Sequence, residues 1–243
     1  MPNSFFQFKQ FIIHQDRCAM KVTTDACLFG AWVAGRVGSR ELRVPNILDI
    51  GTGTGLLALI LAQKIKANID VIEMDKAAAE QALENAEASP WKDKISVINA
   101  DARSYSFSKK YDCIISNPPF YENELKSDNI KKNTAHHNER LLLPELLTII
   151  KNNLEQDGTF YLLLPYKRSA EIRDLLFRHE FAIHQMIFVR QTTKHDYFRI
   201  MLSGKLKTNE AIETIIDEIS ITDEKQQYTT AFMELLKDYY LHL

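Results

Sequence analysis

The stretch Ile47-Leu48-Asp49-Ile50-Gly51-Thr52-Gly53-Thr54-Gly55-Leu56-Leu57-Ala58-Leu59-Ile60-Leu61 decides the fold. Residues 47–50 read as a buried strand, and residues 56–65 as a helix that is apolar nearly all round. Between them glycine recurs at Gly51, Gly53 and Gly55. A strand, a tight turn and a buried helix open a β-α-β unit. Glycine permits the sharp turn and lets a bound molecule approach the backbone closely. Open parallel sheets bind ligands outside the carboxyl ends of their strands, which is where this turn falls.

Outward from it the pattern repeats. Residues 69–74 form the next strand, followed by an Ala- and Glu-rich helix over 76–88. Residues 95–99, 111–116 and 159–164 read as further strands, and 144–154 and 168–177 as helices. This alternation predicts an α/β fold with a doubly wound, mostly parallel, seven-stranded sheet. The runs 181–190 and 197–206 are joined by a short link, which favours an antiparallel hairpin at one sheet edge. One domain over 1–243 is expected, with an N-terminal extension (1–43), a core (44–207) and a C-terminal helical segment (208–243). In the extension, Phe6-Gln7-Phe8 alternates like a strand. Thr23-Thr24-Asp25 looks like a helix start, with Thr24 or Asp25 as cap and 26–34 as the helix. Residues 226–243 read as an amphipathic helix. The polar segment 121–140 is long for a loop, as binding elements and lids are.

Composition narrows the class. Apolar residues make up 45% and charged residues 26%, values ordinary for a soluble globular chain. A net charge of -2 does not advertise a polyanion partner, although a local basic face would suffice for one. The three cysteines, Cys18, Cys27 and Cys113, lack paired spacing and read as reduced thiols, with no zinc site. No signal-peptide pattern and no apolar run of membrane-span length is visible. The expectation is a cytoplasmic protein with no membrane partner and no metal.

The chemistry-bearing residues lie at strand ends. A dinucleotide fingerprint needs its third glycine three positions after the second, where Leu56 stands; here Gly55 comes early. Gly-x-Gly-x-Gly with Asp49 before it resembles motif I of the S-adenosylmethionine-dependent methyltransferases. Glu73 ends the next strand, where a carboxylate can accept from ribose hydroxyls. Asp75 is expected to cap the following helix. Asp101, with Ala102 behind it, closes the third strand and can meet an adenine amino group; a loop-capping Asp would also fit.

At the end of the fourth strand stands Asn117-Pro118-Pro119-Phe120. The Asn117 amide oxygen and the Pro118 carbonyl can accept the two N–H groups of an exocyclic amine, freeing a lone pair otherwise delocalised into the ring. Proline fixes φ and so holds its carbonyl in place. Phe120 can stack on a base, a contact of about 1–3 kcal/mol. Asn-Pro by itself is a frequent turn signal; its placement downstream of the glycine loop favours the functional reading. Together these features point to methyl transfer from S-adenosylmethionine to an amine.

The order Asp49–Gly55, Glu73, Asp101, Asn117–Phe120 resembles the Rossmann-like amino-group methyltransferases. The run His14-Gln15-Asp16-Arg17-Cys18-Ala19-Met20-Lys21-Val22-Thr23-Thr24-Asp25, with Gly30-Ala31-Trp32, is similar to the bacterial tRNA1(Val) adenine-N6-methyltransferase family. That resemblance implies that Lys21, Thr24 and Asp25 lie near the methionine end of the cofactor. It also implies a tRNA partner. Pro119, Tyr121, Lys131, Lys132, His136 and Arg140 are the substrate-side candidates, with Lys126, Arg168, Arg190, Lys194 and Arg199 as further cations. Enzymes acting on guanine N2 of ribosomal RNA or on glutamine of release factors share Asn-Pro-Pro-aromatic and stay open as alternatives. A nicotinamide-dependent oxidoreductase is the remote one.

Overall fold

Strand residues alternate between two covered faces, so the central strands fit only inside a sheet with helices on both sides. The computed structural model describes residues 3–38, 45–119, 141–209 and 213–243. Its elements run β1 (Phe5–Gln7), β2 (Ile12–His14), α1 (Thr24–Gly38), β3 (Asn46–Ile50), α2 (Leu56–Lys64), β4 (Asn68–Glu73), α3 (Lys76–Glu87), β5 (Ile95–Asn99) and β6 (Tyr111–Ser116). Then follow α4 (Leu143–Asn153), β7 (Leu154–Pro165), α5 (Ser169–Arg178), β8 (Phe181–Arg190), β9 (Tyr197–Leu206), β10 (Ile215–Ser220) and α6 (Thr230–Leu236).

The main sheet has the order β10-β8-β9-β7-β6-β3-β4-β5. Only β9 runs against the rest, because it pairs antiparallel with both β7 and β8 while the other neighbours pair parallel. Ile47 packs into the core layer that holds α1, α2 and α6; Leu48 and Ile50 pack into the layer that holds α4 and α5. The doubly wound arrangement follows. Helix α2 is buried from Leu56 to Ala62, which is why its sequence shows no polar face.

Both ends of the β3–β6 pair are fixed by side chains. At the amino end the Asn46 N–H donates to Asp112 at 2.9 Å. At the carboxyl end the fully buried Ser116 hydroxyl donates to the Ile50 carbonyl at 2.7 Å.

Three expectations are revised. Among the described residues the sheet has eight strands, not seven, and β10 lies outside the hairpin, so the hairpin is not the edge. Ile215–Ser220 escapes a periodicity reading because only Ile219 on it is buried, while Asp217 and Glu218 interrupt the apolar pattern. The C-terminal helix is only Thr230–Leu236. Beyond it the tail leaves helical geometry to bury Tyr239, whose hydroxyl donates to the Ile60 carbonyl at 3.1 Å, while its own carbonyl accepts from the Lys9 N–H at 2.8 Å. Finally, α1 begins at Thr24, so Thr24 and Asp25 lie inside its first turn instead of flanking it.

Gly204 on β9 lies against the buried Phe160 ring: an added Cβ would stand 2.5 Å from Phe160 Cζ and 2.9 Å from the Ala182 carbonyl oxygen. Neither can retreat without disturbing the β7–β9–β8 ladder. We expect Gly204→Ala to lower unfolding stability by about 1–3 kcal/mol, as overpacked cores do. Urea denaturation checks this, and an unchanged midpoint would contradict the packing described.

Candidate active site

The site lies on the rim formed by the carboxyl ends of β3, β4, β5 and β6. Asp49 pairs with Ile115 in the parallel register, so β3 runs into the glycine loop and β6 into Asn117 at the same rim. Neighbouring strands lie about 4.8 Å apart.

The glycine loop takes the left-handed conformation three times, at Gly51 (φ 71°), Gly53 (φ 57°) and Gly55 (φ 80°). Any L-residue there is strained by about 1–2 kcal/mol. Backbone bonds hold the loop: the Gly51 N–H donates to the Ile72 carbonyl at 2.9 Å. The Gly53 N–H donates to Glu73 Oε2 at 3.0 Å, and Glu73 Oε1 accepts from the Asp75 N–H at 3.0 Å. Each Glu73 oxygen therefore keeps a lone pair for a ligand hydroxyl. Asp75 caps α3 as expected, accepting from the Ala78 N–H at 2.8 Å.

Asp49 is fully buried. Its Oδ2 accepts from the Thr52 hydroxyl at 2.5 Å, and its Oδ1 has no hydrogen-bond partner among the described residues. Burial pushes this carboxyl up to about 7; the Thr52 hydroxyl opposes the rise and the Glu73 charge adds to it. Asp101 takes the opposite course. The Arg103 side chain reaches it at 2.6 to 3.0 Å and holds its carboxyl below the usual range. Ala102 beside it is half-buried against the α4–α5 layer.

Asn117 is half-buried, Pro118 buried and Pro119 exposed. Phe120, Tyr121, Lys126, Lys131, Lys132, His136 and Arg140 lie outside the described residues.

The N-terminal candidates Lys21 and Asp25 have polar partners within the chain. Asp25 is buried and paired with Arg199, Nε to Oδ2 at 2.8 Å. Thr24 hydrogen-bonds with the phenol of Tyr240. Lys21 donates to the Gln15 carbonyl. Gln15, itself buried, accepts from the Val22 N–H at 2.7 Å and so closes the loop that carries Lys21. The burial-raised Cys18 thiol lies in the fields of Glu73 and Lys21, which sets this segment beside the rim.

The other candidate cations among the described residues are also paired: Arg168 with Glu171, Arg190 with Glu218, and Lys194 with Glu224. Among the described residues, no cluster of His, Cys, Asp or Glu could hold a metal ion, and no helix is long and apolar enough to cross a membrane.

Sequence reading missed Thr52, Ser116, Gln15 and Arg199's pairing with Asp25. Thr52 alone had a local signal, lying three residues after Asp49 in the same loop.

The residues fit S-adenosylmethionine. Apart from the adjoining residues of the chain, no heavy atom among the described residues lies within 4 Å of the Cβ position on Gly51 or Gly53, which leaves the face of the loop open to a ligand. Three carboxylates, Asp49, Glu73 and Asp101, suit a ligand rich in hydroxyl and amino donors with a positive sulfur.

Comparison with known proteins agrees. The family model described as the methyltransferase small domain matches residues 39–167. The chain is similar to a protein named tRNA1(Val) (adenine(37)-N6)-methyltransferase from Bacteroides fragilis, 38% identical over 247 residues and 100% of both chains. Proteins of the same name from Cytophaga hutchinsonii (38%, 100% of both chains) and Pectobacterium carotovorum (37%, 98% of this chain and 94% of that one) are similarly close. In fold it is similar to a protein of Agrobacterium tumefaciens described as a predicted O-methyltransferase (TM-score 0.68, 16% identity, 88% of this chain and 96% of that one). It also resembles a ribosomal protein L11 methylase of Lactobacillus delbrueckii (TM-score 0.55, 17% identity, 81% and 84%). The chain thus belongs to the small-domain methyltransferases and, within them, to the S-adenosylmethionine-dependent family that carries the name tRNA1(Val) (adenine(37)-N6)-methyltransferase.

Proposed function

We propose that this chain methylates N6 of adenine 37 in tRNA1(Val), with Asn117, Pro118 and Phe120 as the catalytic residues. The observation that supports the reading is the parallel β3–β6 pairing, tied at its carboxyl end by the Ser116–Ile50 bond, which ends the glycine-loop strand and the Asn117 strand side by side on one rim. The amine grip and the cofactor loop are then one strand apart.

The Asn117 side-chain oxygen and the Pro118 carbonyl accept the two N–H groups of the adenine amine, which localises its lone pair. Phe120 stacks on the base and fixes its plane. Bound S-adenosylmethionine supplies a methyl group already activated by its sulfonium. The remaining barrier is reduced by alignment, a matter of orientation rather than acid–base catalysis. No strong base is required, because the amine becomes acidic as its new bond forms.

On the cofactor side, Asp49, Gly51, Gly53, Gly55, Glu73, Asp101 and Ala102 form the binding rim. Lys21, Thr24 and Asp25 belong to an N-terminal extension (1–43) that completes it beside the core (44–207). Pro119, Tyr121, Lys131, Lys132, His136 and Arg140 carry the tRNA side. Since Arg168, Arg190, Lys194 and Arg199 each hold an acidic partner, RNA contact by them requires exchange of that partner for phosphate.

Two outcomes are expected. Asn117→Ala reduces tRNA methylation by at least roughly a hundredfold, while the affinity for S-adenosylhomocysteine stays within about twofold. Methyl-transfer assays on tRNA, ribosomal RNA and release factor, paired with calorimetry, measure both quantities. Unchanged turnover would remove Asn117 from the mechanism, and label found only in rRNA or protein would overturn the acceptor.

The second concerns Asp49. Its folded pKa of about 7 exceeds the ordinary carboxylate value, so the folded state holds an extra proton between them. The Asp49 contribution to stability should therefore fall, by on the order of a few kcal/mol, as pH rises from about 4 to about 7, and level off above. Asp49→Asn should flatten that slope in urea titrations across the same range. A variant with the wild-type slope would assign the titration to another group.

A further inference from the structure

Asn85 lies in the last turn of α3, only 1% exposed, far in sequence from everything it touches. Its Oδ1 accepts from the His14 N–H at 2.9 Å. Its Nδ2 donates to the His14 carbonyl at 2.8 Å and to the Thr54 carbonyl at 2.9 Å. A primary amide has two N–H donors and one oxygen, and here both donors and the oxygen are engaged. Two of these bonds grip the end of β2 as a neighbouring strand would. The third reaches the middle of the glycine loop.

The loop is anchored on β4 by the Gly51 and Thr52 N–H groups on Ile72 and the Gly53 N–H on Glu73, on β3 by the Thr52 hydroxyl on Asp49, and on α3 by the Thr54 carbonyl on Asn85. Among these hydrogen bonds, the last ties the loop to the N-terminal segment. That segment follows the same face of α3: Gln81, one turn before Asn85, accepts from the Arg17 N–H at 3.2 Å. The Arg17 guanidinium also pairs with Glu84 and, at 3.8 Å, with Glu80. Four residues on, Lys21 folds back on Gln15, and α1 begins at Thr24. The chain from His14 to Asp25 is thereby suspended from α3, with Asn85 its link to the loop.

We propose that Asn85 is a positioning residue that couples the N-terminal strap (residues 12–25) to the glycine loop, so that one buried amide governs both cofactor affinity and the ordering of the strap. The inference rests on the glycine loop being the cofactor site. An amide is required because the position needs a donor for each of two carbonyls and an acceptor for one N–H. Aspartate keeps the acceptor, loses both donors and sets a carboxylate against two carbonyl oxygens. Alanine loses all three bonds. Gln81 supplies a control, since its side-chain oxygen holds the strap while the hydrogen bond from α3 to the loop comes from Asn85.

The test uses the full chain and its Asn85→Ala, Asn85→Asp and Gln81→Ala variants. S-adenosylhomocysteine affinity is measured by calorimetry, KM for S-adenosylmethionine and for tRNA by steady-state methylation, and protection of residues 12–25 by hydrogen exchange with and without S-adenosylhomocysteine. Either Asn85 variant should weaken cofactor affinity and raise the cofactor KM by at least roughly tenfold, with kcat and the tRNA KM within about threefold. Cofactor-induced protection of the strap should disappear. Gln81→Ala should leave cofactor affinity within about twofold of wild type. Should Asn85→Ala not fold, the near-isosteric Asn85→Asp carries the measurement. Cofactor affinity unchanged in a folded Asn85 variant would overturn the proposal. So would a fall in thermal stability with no split between the two KM values, or an equal loss in Gln81→Ala. Failure of the wild-type chain to bind S-adenosylhomocysteine would instead overturn the cofactor reading itself.

Discussion

Parallel pairing of β3 with β4 and β6 constrains everything above the sheet. Strands that run the same way must end on the same rim, and their last peptide groups need partners that the ladder no longer supplies. Here those partners are specific. The Ile50 carbonyl takes the Ser116 hydroxyl, the Ile72 carbonyl takes the Gly51 N–H, and Glu73 takes the N–H groups of Gly53 and Asp75. The rim is thus satisfied by the same groups that shape the site. Moving β6 by one residue along β3 would turn each of its side chains to the opposite face and carry Asn117 away from Gly51.

Buried polarity is concentrated where the chemistry is. Asp49 sits in a strand that is otherwise apolar after Asn46, with one oxygen on Thr52 and the other lacking a partner among the described residues. A buried carboxylate is costly, so it stays protonated further into the neutral range than a surface one. Asp101 is kept charged by Arg103 on the same rim. Two acids in one cleft, one tuned up and one tuned down, are a common property of sites that bind or react.

Much of this was legible from local pattern. Residues 95–99, 111–116, 181–190 and 197–206 coincide with β5, β6, β8 and β9, because strong apolar runs bounded by polar residues leave little choice. The glycine loop was legible because left-handed turns demand glycine. What escaped depends on distant partners. Asn85 looks like a surface residue of an Ala- and Glu-rich helix until His14, 71 positions away, packs over it. Asp25 reads as a helix cap until Arg199, 174 positions away, reaches it. Tyr239-Tyr240 continues an amphipathic helix on paper, yet the helix stops at Leu236 and Tyr239 is buried with its hydroxyl on the Ile60 carbonyl, 179 positions away. β10 has a single buried residue and so almost no periodic signal.

The central claim is that a cofactor loop and an amine grip, one strand apart, act on adenine N6 of tRNA. Mass-spectrometric mapping of tRNA1(Val), incubated with the purified chain and S-adenosylmethionine, tests it most directly. The account predicts N6-methyladenosine at position 37, formed only when both the chain and the cofactor are present. Methylation at a guanine N2, or at no tRNA nucleotide while ribosomal RNA or a protein glutamine takes the label, would contradict it.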